Sequence, residues 1–93
     1  MKSSCIIIPD SVIQTIFQEE KEKTNRDLIC VWPQDSELGI YLMDISSGQK
    51  YDYQQSYLFL KNHLVDFGYN INNCDAIYYT TSKFYIAVWN EVE

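Results

Sequence analysis

Apolar side chains recur at helical spacing in two stretches of the chain. Val12, Ile13, Ile16 and Phe17 fall on one face behind a Pro-Asp-Ser start, and Glu19, Glu20 and Glu22 follow on turns that face water. This pattern predicts a helix over 11–24, with Ser11 and Gln14 spaced as a capping box. Tyr53, Tyr57, Leu60, Leu64 and Phe67 repeat the pattern over 53–67. Asp52 stands at the N-cap with Gln55 at the third helical position, and Gly68 stands where a left-handed residue ends a helix.

Between and beyond the helices the period changes to that of strands. Residues 27–32 (DLICVW) and 39–45 (GIYLMDI) are β-rich, joined by the polar loop 33–38 and closed by the turn Ser46-Ser47-Gly48. Residues 76–80 and 84–90 repeat the arrangement around Thr81-Ser82-Lys83 as a hairpin, and 5–8 adds a short strand at the front. The order is (β)αββαββ, which predicts an α+β fold. The expected architecture is one antiparallel sheet of four or five strands with both helices on one face, or a ferredoxin-like arrangement if the front strand pairs centrally.

A sheet covered on one side alternates apolar and polar residues. Here Phe84, Ile86 and Val88 oppose Tyr85, Ala87 and Trp89, and Ile40 and Leu42 oppose Tyr41, Met43 and Ile45, so both faces are apolar. Two helices cannot cover both. The face rich in Tyr, Trp and Met is expected to be buried against a second copy of the chain, with Tyr41, Met43, Tyr85 and Trp89 as the dimer interface.

Ninety-three residues make one domain, 1–93, and a hydrophobic fraction of 46% excludes a disordered chain. No apolar run approaches the roughly 20 residues of a membrane span, and the Ile run before Pro9 is too short for a signal peptide. Three widely spaced cysteines, Cys5, Cys30 and Cys74, read as reduced thiols of a cytoplasmic protein.

Little of this can do chemistry. His63 is the single histidine. A Cys30 or Cys74 pairing with it, oriented by Asp66, has no local signature, and a metal site has neither a CxxC pair nor a second histidine. With three glycines in all, Gly39, Gly48 and Gly68, no phosphate-cradling loop can be built. The expectation is a chain that is not an enzyme and holds no cofactor or metal.

Charge changes the picture more. Thirteen acidic residues against seven basic ones give a net charge of −6, which repels nucleic acid and acidic membranes and attracts basic protein surfaces. Glu19, Glu20 and Glu22 end the first helix, Asp35 and Glu37 lie in the 33–38 loop, and Asp44, Asp52 and Asp66 bracket the second helix. These eight are the candidate partner-binding residues. A domain of this length is about 30 Å across, and B-DNA of that length carries about 18 phosphate charges, so one chain falls short of a phosphate array and a dimer comes nearer.

The acidic segments QEEKEK and PQDSEL, the strand pair DLICVW and GIYLMDI, and the length resemble the phage-encoded DNA-mimic inhibitors, in particular the anti-restriction nuclease (Arn) family of T-even-type phages. The resemblance implies a homodimer shaped like duplex DNA that occupies the DNA-binding surface of a host restriction nuclease or similar defence enzyme. The lysines interspersed among the acids depart from full phosphate mimicry. Anti-CRISPR proteins and the acidic immunity proteins of nuclease toxins share the gross features, which leaves as the alternative a module that blocks one specific enzyme by shape.

Overall fold

The computed structural model describes residues 2–32, 39–71, 73–80 and 82–91, with side chains over the same residues except 2–4 and 89–91. The element order is β1 (Lys2–Pro9), α1 (Asp10–Thr24), β2 (Leu28–Val31), β3 (Tyr41–Asp44), β4 (Gln49–Lys50), α2 (Tyr53–Asp66), β5 (Cys74–Tyr79) and β6 (Phe84–Glu91). The α+β order agrees with the sequence pattern, with the front strand longer than expected and a short β4 after the Gly48 turn.

Pro9 ends β1 and starts α1. Its φ of −62° and ψ of 144° make it the N-cap, with no side-chain cap hydrogen bond. The expected Ser11–Gln14 capping box is therefore out of register, because the helix begins one residue before Ser11. Ser11 is instead within the first turn, where its carbonyl accepts the Thr15 hydroxyl at 2.9 Å. Ile13, Ile16, Phe17 and Glu20 form the buried stripe, and Asn25 closes the helix in the left-handed region at φ 63°.

α2 starts as its sequence requires: Asp52 accepts the Gln55 N–H at 2.7 Å while Gln55 Oε1 accepts the Asp52 N–H at 3.3 Å. It ends in a Schellman motif, with the Tyr69 N–H on the Leu64 carbonyl and the Gly68 N–H on the Val65 carbonyl, at 3.1 and 3.0 Å. The buried residues are Ser56, Leu60 and Leu64, and Phe67 is exposed. Ser56 is tolerated at the start of this stripe because its Oγ accepts the Leu42 N–H at 2.8 Å and so ties α2 to β3.

The strands form two antiparallel three-stranded sheets, β1-β6-β5 and β2-β3-β4, where one sheet of four or five strands was expected. β6 is central in the first and pairs with β1 along its length, from Lys2↔Glu91 to Pro9↔Phe84. The front strand thus lies at an edge, and the condition for the ferredoxin-like alternative is not met. The sheets meet at one described backbone bond, Ile40 N–H to the Ile77 carbonyl at 3.1 Å. Gly39 makes that approach possible: at φ +99°, a Cβ there would stand 2.7 Å from the Ile77 oxygen.

One core cluster joins both helices and both sheets. It takes Ile13, Ile16 and Phe17 from α1, Leu60 and Leu64 from α2, Leu28 and Leu42 from the second sheet, and Ile8, Ile77, Tyr85 and Ala87 from the first. No helix among the described residues is long and apolar enough to cross a membrane.

Candidate functional site

The acids separate into two kinds by what they touch. Glu19 and Glu22 project from the last turns of α1 into water, next to the exposed Lys21 and Lys23. Gln18 donates to Glu22 at 3.3 Å, and Lys21 reaches Asp27 at 3.8 Å. Asp52 and Asp66 are exposed at the two ends of α2.

Glu20 does not belong with them. It continues the buried stripe of α1, is 7% exposed, and accepts from Arg26 Nη2. The same guanidinium donates to the Tyr51 hydroxyl at 3.0 Å and to Thr24 Oγ1 at 3.2 Å, and it lies 5.6 Å from the centre of the Tyr51 ring. Helical spacing explains the placement: residue 20 follows Ile13 and Ile16 at i+7 and i+4, so it faces the core while Glu19 does not.

Asp44 is also internal. Its carboxylate accepts the Ser46 hydroxyl at 2.7 Å, the Asp27 N–H at 3.0 Å, the Ser46 N–H at 3.1 Å and the Ser47 hydroxyl at 3.1 Å. These donors, the Ser46 hydroxyl first, hold it at a pKa of about 2 against the desolvation that would raise it. It organises the turn and the start of β2, and it is not available as a phosphate surrogate. Asp35 and Glu37 lie outside the described residues.

The expected dimer residues divide as well. Tyr85 is 2% exposed, in the core beside Tyr79 at 5.2 Å between ring centres. Its hydroxyl meets Asp10 and Cys30, and burial is the main cause of its strongly raised pKa. An anchor already buried within its own chain cannot also anchor a dimer. Tyr41 and Met43 are half-buried on the outer side of β3, Tyr41 packing edge-on against Tyr53 at 5.8 Å. The Trp89 side chain lies outside the described residues.

The thiols and His63 do not converge. Burial pushes the Cys30 thiol up to about 12 and Cys74 up to about 11, so both are protonated near neutral pH and poor nucleophiles. His63 Nδ1 donates to the Phe59 carbonyl at 2.8 Å, and its ring lies against Phe59, so Asp66 does not orient that nitrogen. No group of three His, Cys, Asp or Glu residues able to hold a metal is found among the described residues.

Two clefts border the core. One of about 240 Å³ is mostly apolar, with Leu28, Leu42 and Phe59 in its wall and Arg26 beside them. The other, about 320 Å³, lies between the start of α1, β2 and the β5–β6 hairpin, with Asp10, Gln14, Cys30 and Lys83 among its lining. Asp10 is engaged by Tyr85 in its wall.

The least expected surface is the outer face of the first sheet. Cys5 is exposed and pairs across the strands with Val88, Ile7 is 61% exposed opposite Ile86, and Phe84 is 43% exposed opposite Pro9. Apolar residues on both faces of β6 signalled such a surface in the sequence. The sense is opposite to the one expected from the sequence: Tyr85 turns inward, where its hydroxyl finds partners, and Phe84, Ile86 and Val88 turn outward.

Compared with protein-family models, with curated proteins and with solved structures, the chain matches none. The likeness to the anti-restriction nuclease family rests on the segments quoted above alone.

Proposed function

We propose that this domain is an acidic protein-binding module that blocks a nucleic-acid-handling enzyme, such as a restriction nuclease, by occupying its basic DNA-contacting surface. The observation that carries the reading is the set of exposed carboxylates on helix ends, Glu19 and Glu22 on α1 and Asp52 and Asp66 on α2, in a chain of net charge −6. Asp52 is held as the cap of α2, whereas exposed acids such as Glu19 and Asp66 contribute little to stability and leave their charge to meet Lys and Arg on a partner.

The second reading is a module that recognises one enzyme by shape, as immunity and anti-CRISPR proteins do. Three observations favour it: Glu20 and Asp44 are engaged inside the fold, Lys21 and Lys23 interrupt the α1 acids, and apolar side chains are exposed. With an extent of 43 Å along its longest axis, the chain spans B-DNA bearing about 25 phosphates, more than its thirteen acids can copy.

The test is a column of the immobilised domain loaded with lysate and developed with salt or with duplex DNA of arbitrary sequence. Retained nucleic-acid enzymes that DNA elutes support occupation of the DNA site. Retention of one enzyme that DNA does not displace supports recognition by shape. A column that retains no nucleic-acid enzyme contradicts both.

A further inference from the structure

β2 stands at the edge of the second sheet, bonded to β3 on one side only. Its register decides which of its peptide groups are used. The Asp27 carbonyl accepts the Ile45 N–H at 2.9 Å, and the ladder runs on from there with Leu28 opposite Asp44 and Val31 opposite Tyr41. Bonded and non-bonded positions alternate in an antiparallel pair. Ile29 and Val31 therefore point their N–H and carbonyl groups at β3, and Leu28 and Cys30 point theirs away. Leu42, opposite Cys30, has the matching phase: its N–H goes to Ser56 and its carbonyl accepts the Tyr51 N–H, both on the side away from β2.

The outward groups of Leu28 and Cys30 have no hydrogen-bond partner among the described residues. They do not lie on open surface, since Leu28 is buried and Cys30 half-buried. Both residues line the cleft of about 320 Å³, whose other walls are the start of α1, with Asp10 and Gln14, and the β5–β6 hairpin, with Tyr79 and Lys83. Unpaired backbone groups so placed are costly, and a row of them is a template for another strand.

We propose that an extended segment of a partner protein adds to the free edge of β2 inside this cleft, as the outermost strand of the second sheet. The dimensions fit. From Leu28 to Cys30 the strand runs about 10 Å, and a neighbour takes about 4.8 Å of width, so the cleft volume leaves a depth of about 7 Å, that of one strand with short side chains. The far wall selects a single strand over a second copy of the chain. The β2 of a second copy arrives with its own α1 and hairpin beside it, and the walls of the two clefts would collide.

The cleft also selects the side chains. The inserted residue opposite Cys30 shares its face of the sheet, where the Cys30 thiol meets Tyr85 beside Asp10. Asp10 and Lys83 in one cleft leave a charged side chain no net attraction, whereas a hydroxyl can donate to one and accept from the other. The next residue, opposite Ile29, lies beside an exposed apolar side chain. A segment alternating Thr or Ser with Val or Ile meets both conditions. The edge is separate from the helix-end acids, so the proposal stands independently of what they bind.

The experiment uses the acetylated, amidated pentapeptide Thr-Val-Thr-Val-Thr as probe and reads amide hydrogen exchange of the whole chain by NMR. In the free chain the Leu28 and Cys30 amides should exchange faster than those of Ile29 and Val31, which β3 holds. Millimolar peptide should slow exchange at Leu28 and Cys30 and leave Ile29 and Val31 as they were. An ester in place of the amide at the Thr residues removes the donors that face β2 and should weaken binding about tenfold or more, and the same change at the Val residues should stay within about twofold. Leu28 and Cys30 amides as protected as Ile29 in the free chain, no slowing with peptide, or equal losses from the two ester forms would each overturn the proposal. Protection that grows with protein concentration alone would assign the edge to a second copy and overturn it as well.

Discussion

Replacing Glu20 and Glu19 separately by Gln is expected to divide two adjacent acids by their consequences. The Glu20 side chain is 8% exposed and that of its partner Arg26 is 34% exposed. Breaking a fully buried ion pair costs about 3–5 kcal/mol, and an exposed one about 0–1 kcal/mol. Arg26 keeps water access and its bonds to Tyr51 and Thr24, and the amide oxygen introduced by the substitution can still accept from it, so Glu20→Gln should cost about 1–2 kcal/mol. A domain of this size has about 5–14 kcal/mol in all, and 1 kcal/mol moves its melting temperature by about 4–8 °C. The melting temperature followed by circular dichroism should therefore fall by roughly 5–15 °C for Glu20→Gln. Glu19→Gln, in contact with water, should stay within about 0.5 kcal/mol of wild type. Equal melting temperatures for the two variants would refute the assignment of Glu20 to the fold.

Three further outcomes follow from the same geometry. Asp44 has a folded pKa lowered to about 2 from 3.8, so it stabilises the fold above pH 4 and loses that contribution as pH falls through the folded value. Asp44→Asn should flatten the melting temperature between pH 4 and 2, and a slope unchanged from wild type would contradict the turn-organising role. Ser56→Ala orphans the buried Leu42 N–H at a cost of about 1–3 kcal/mol, partly offset by the better helix propensity of Ala, and urea denaturation should read the net loss. With iodoacetamide at neutral pH, mass spectrometry should find Cys5 alkylated first, the half-buried Cys30 more slowly, and Cys74 only once urea unfolds the chain; labelling of Cys74 as early as Cys5 would contradict its burial.

The elements with their own chemical punctuation were legible in the sequence. Asp52 with Gln55, and Gly68 after Phe67, mark the ends of α2 in any context, and the 81–83 connection marks the β5–β6 hairpin. The apolar spacing of α1 was readable too, but its first turn was not, because Pro9 supplies the start without a side-chain cap. Ser56 could not be recognised as a core residue, since its burial depends on the Leu42 N–H of a strand fourteen residues earlier. Glu20 was read with Glu19 and Glu22 as a solvated run, although its i+7 relation to Ile13 already placed it on the buried stripe. The place where the two sheets meet depends on Gly39 bringing the chain ahead of β3 against Ile77 of β5, which strand periodicity does not encode. Parity along β6 carried the right alternation with the opposite sense, because a Tyr is apolar or polar according to whether its hydroxyl finds a partner inside.

The central claim is that the exposed acids, not the internal ones, meet a basic partner. It is tested most directly by the salt concentration that elutes a retained nucleic-acid enzyme from columns of three forms of the domain: wild type, Glu19→Lys with Glu22→Lys, and Asp44→Asn. Charge-mediated contacts weaken as salt screens them. The account predicts elution at moderate salt for wild type and for Asp44→Asn at a temperature where both are folded, and little retention on the double lysine variant. Retention that salt does not weaken, or that the double lysine variant keeps, would contradict it.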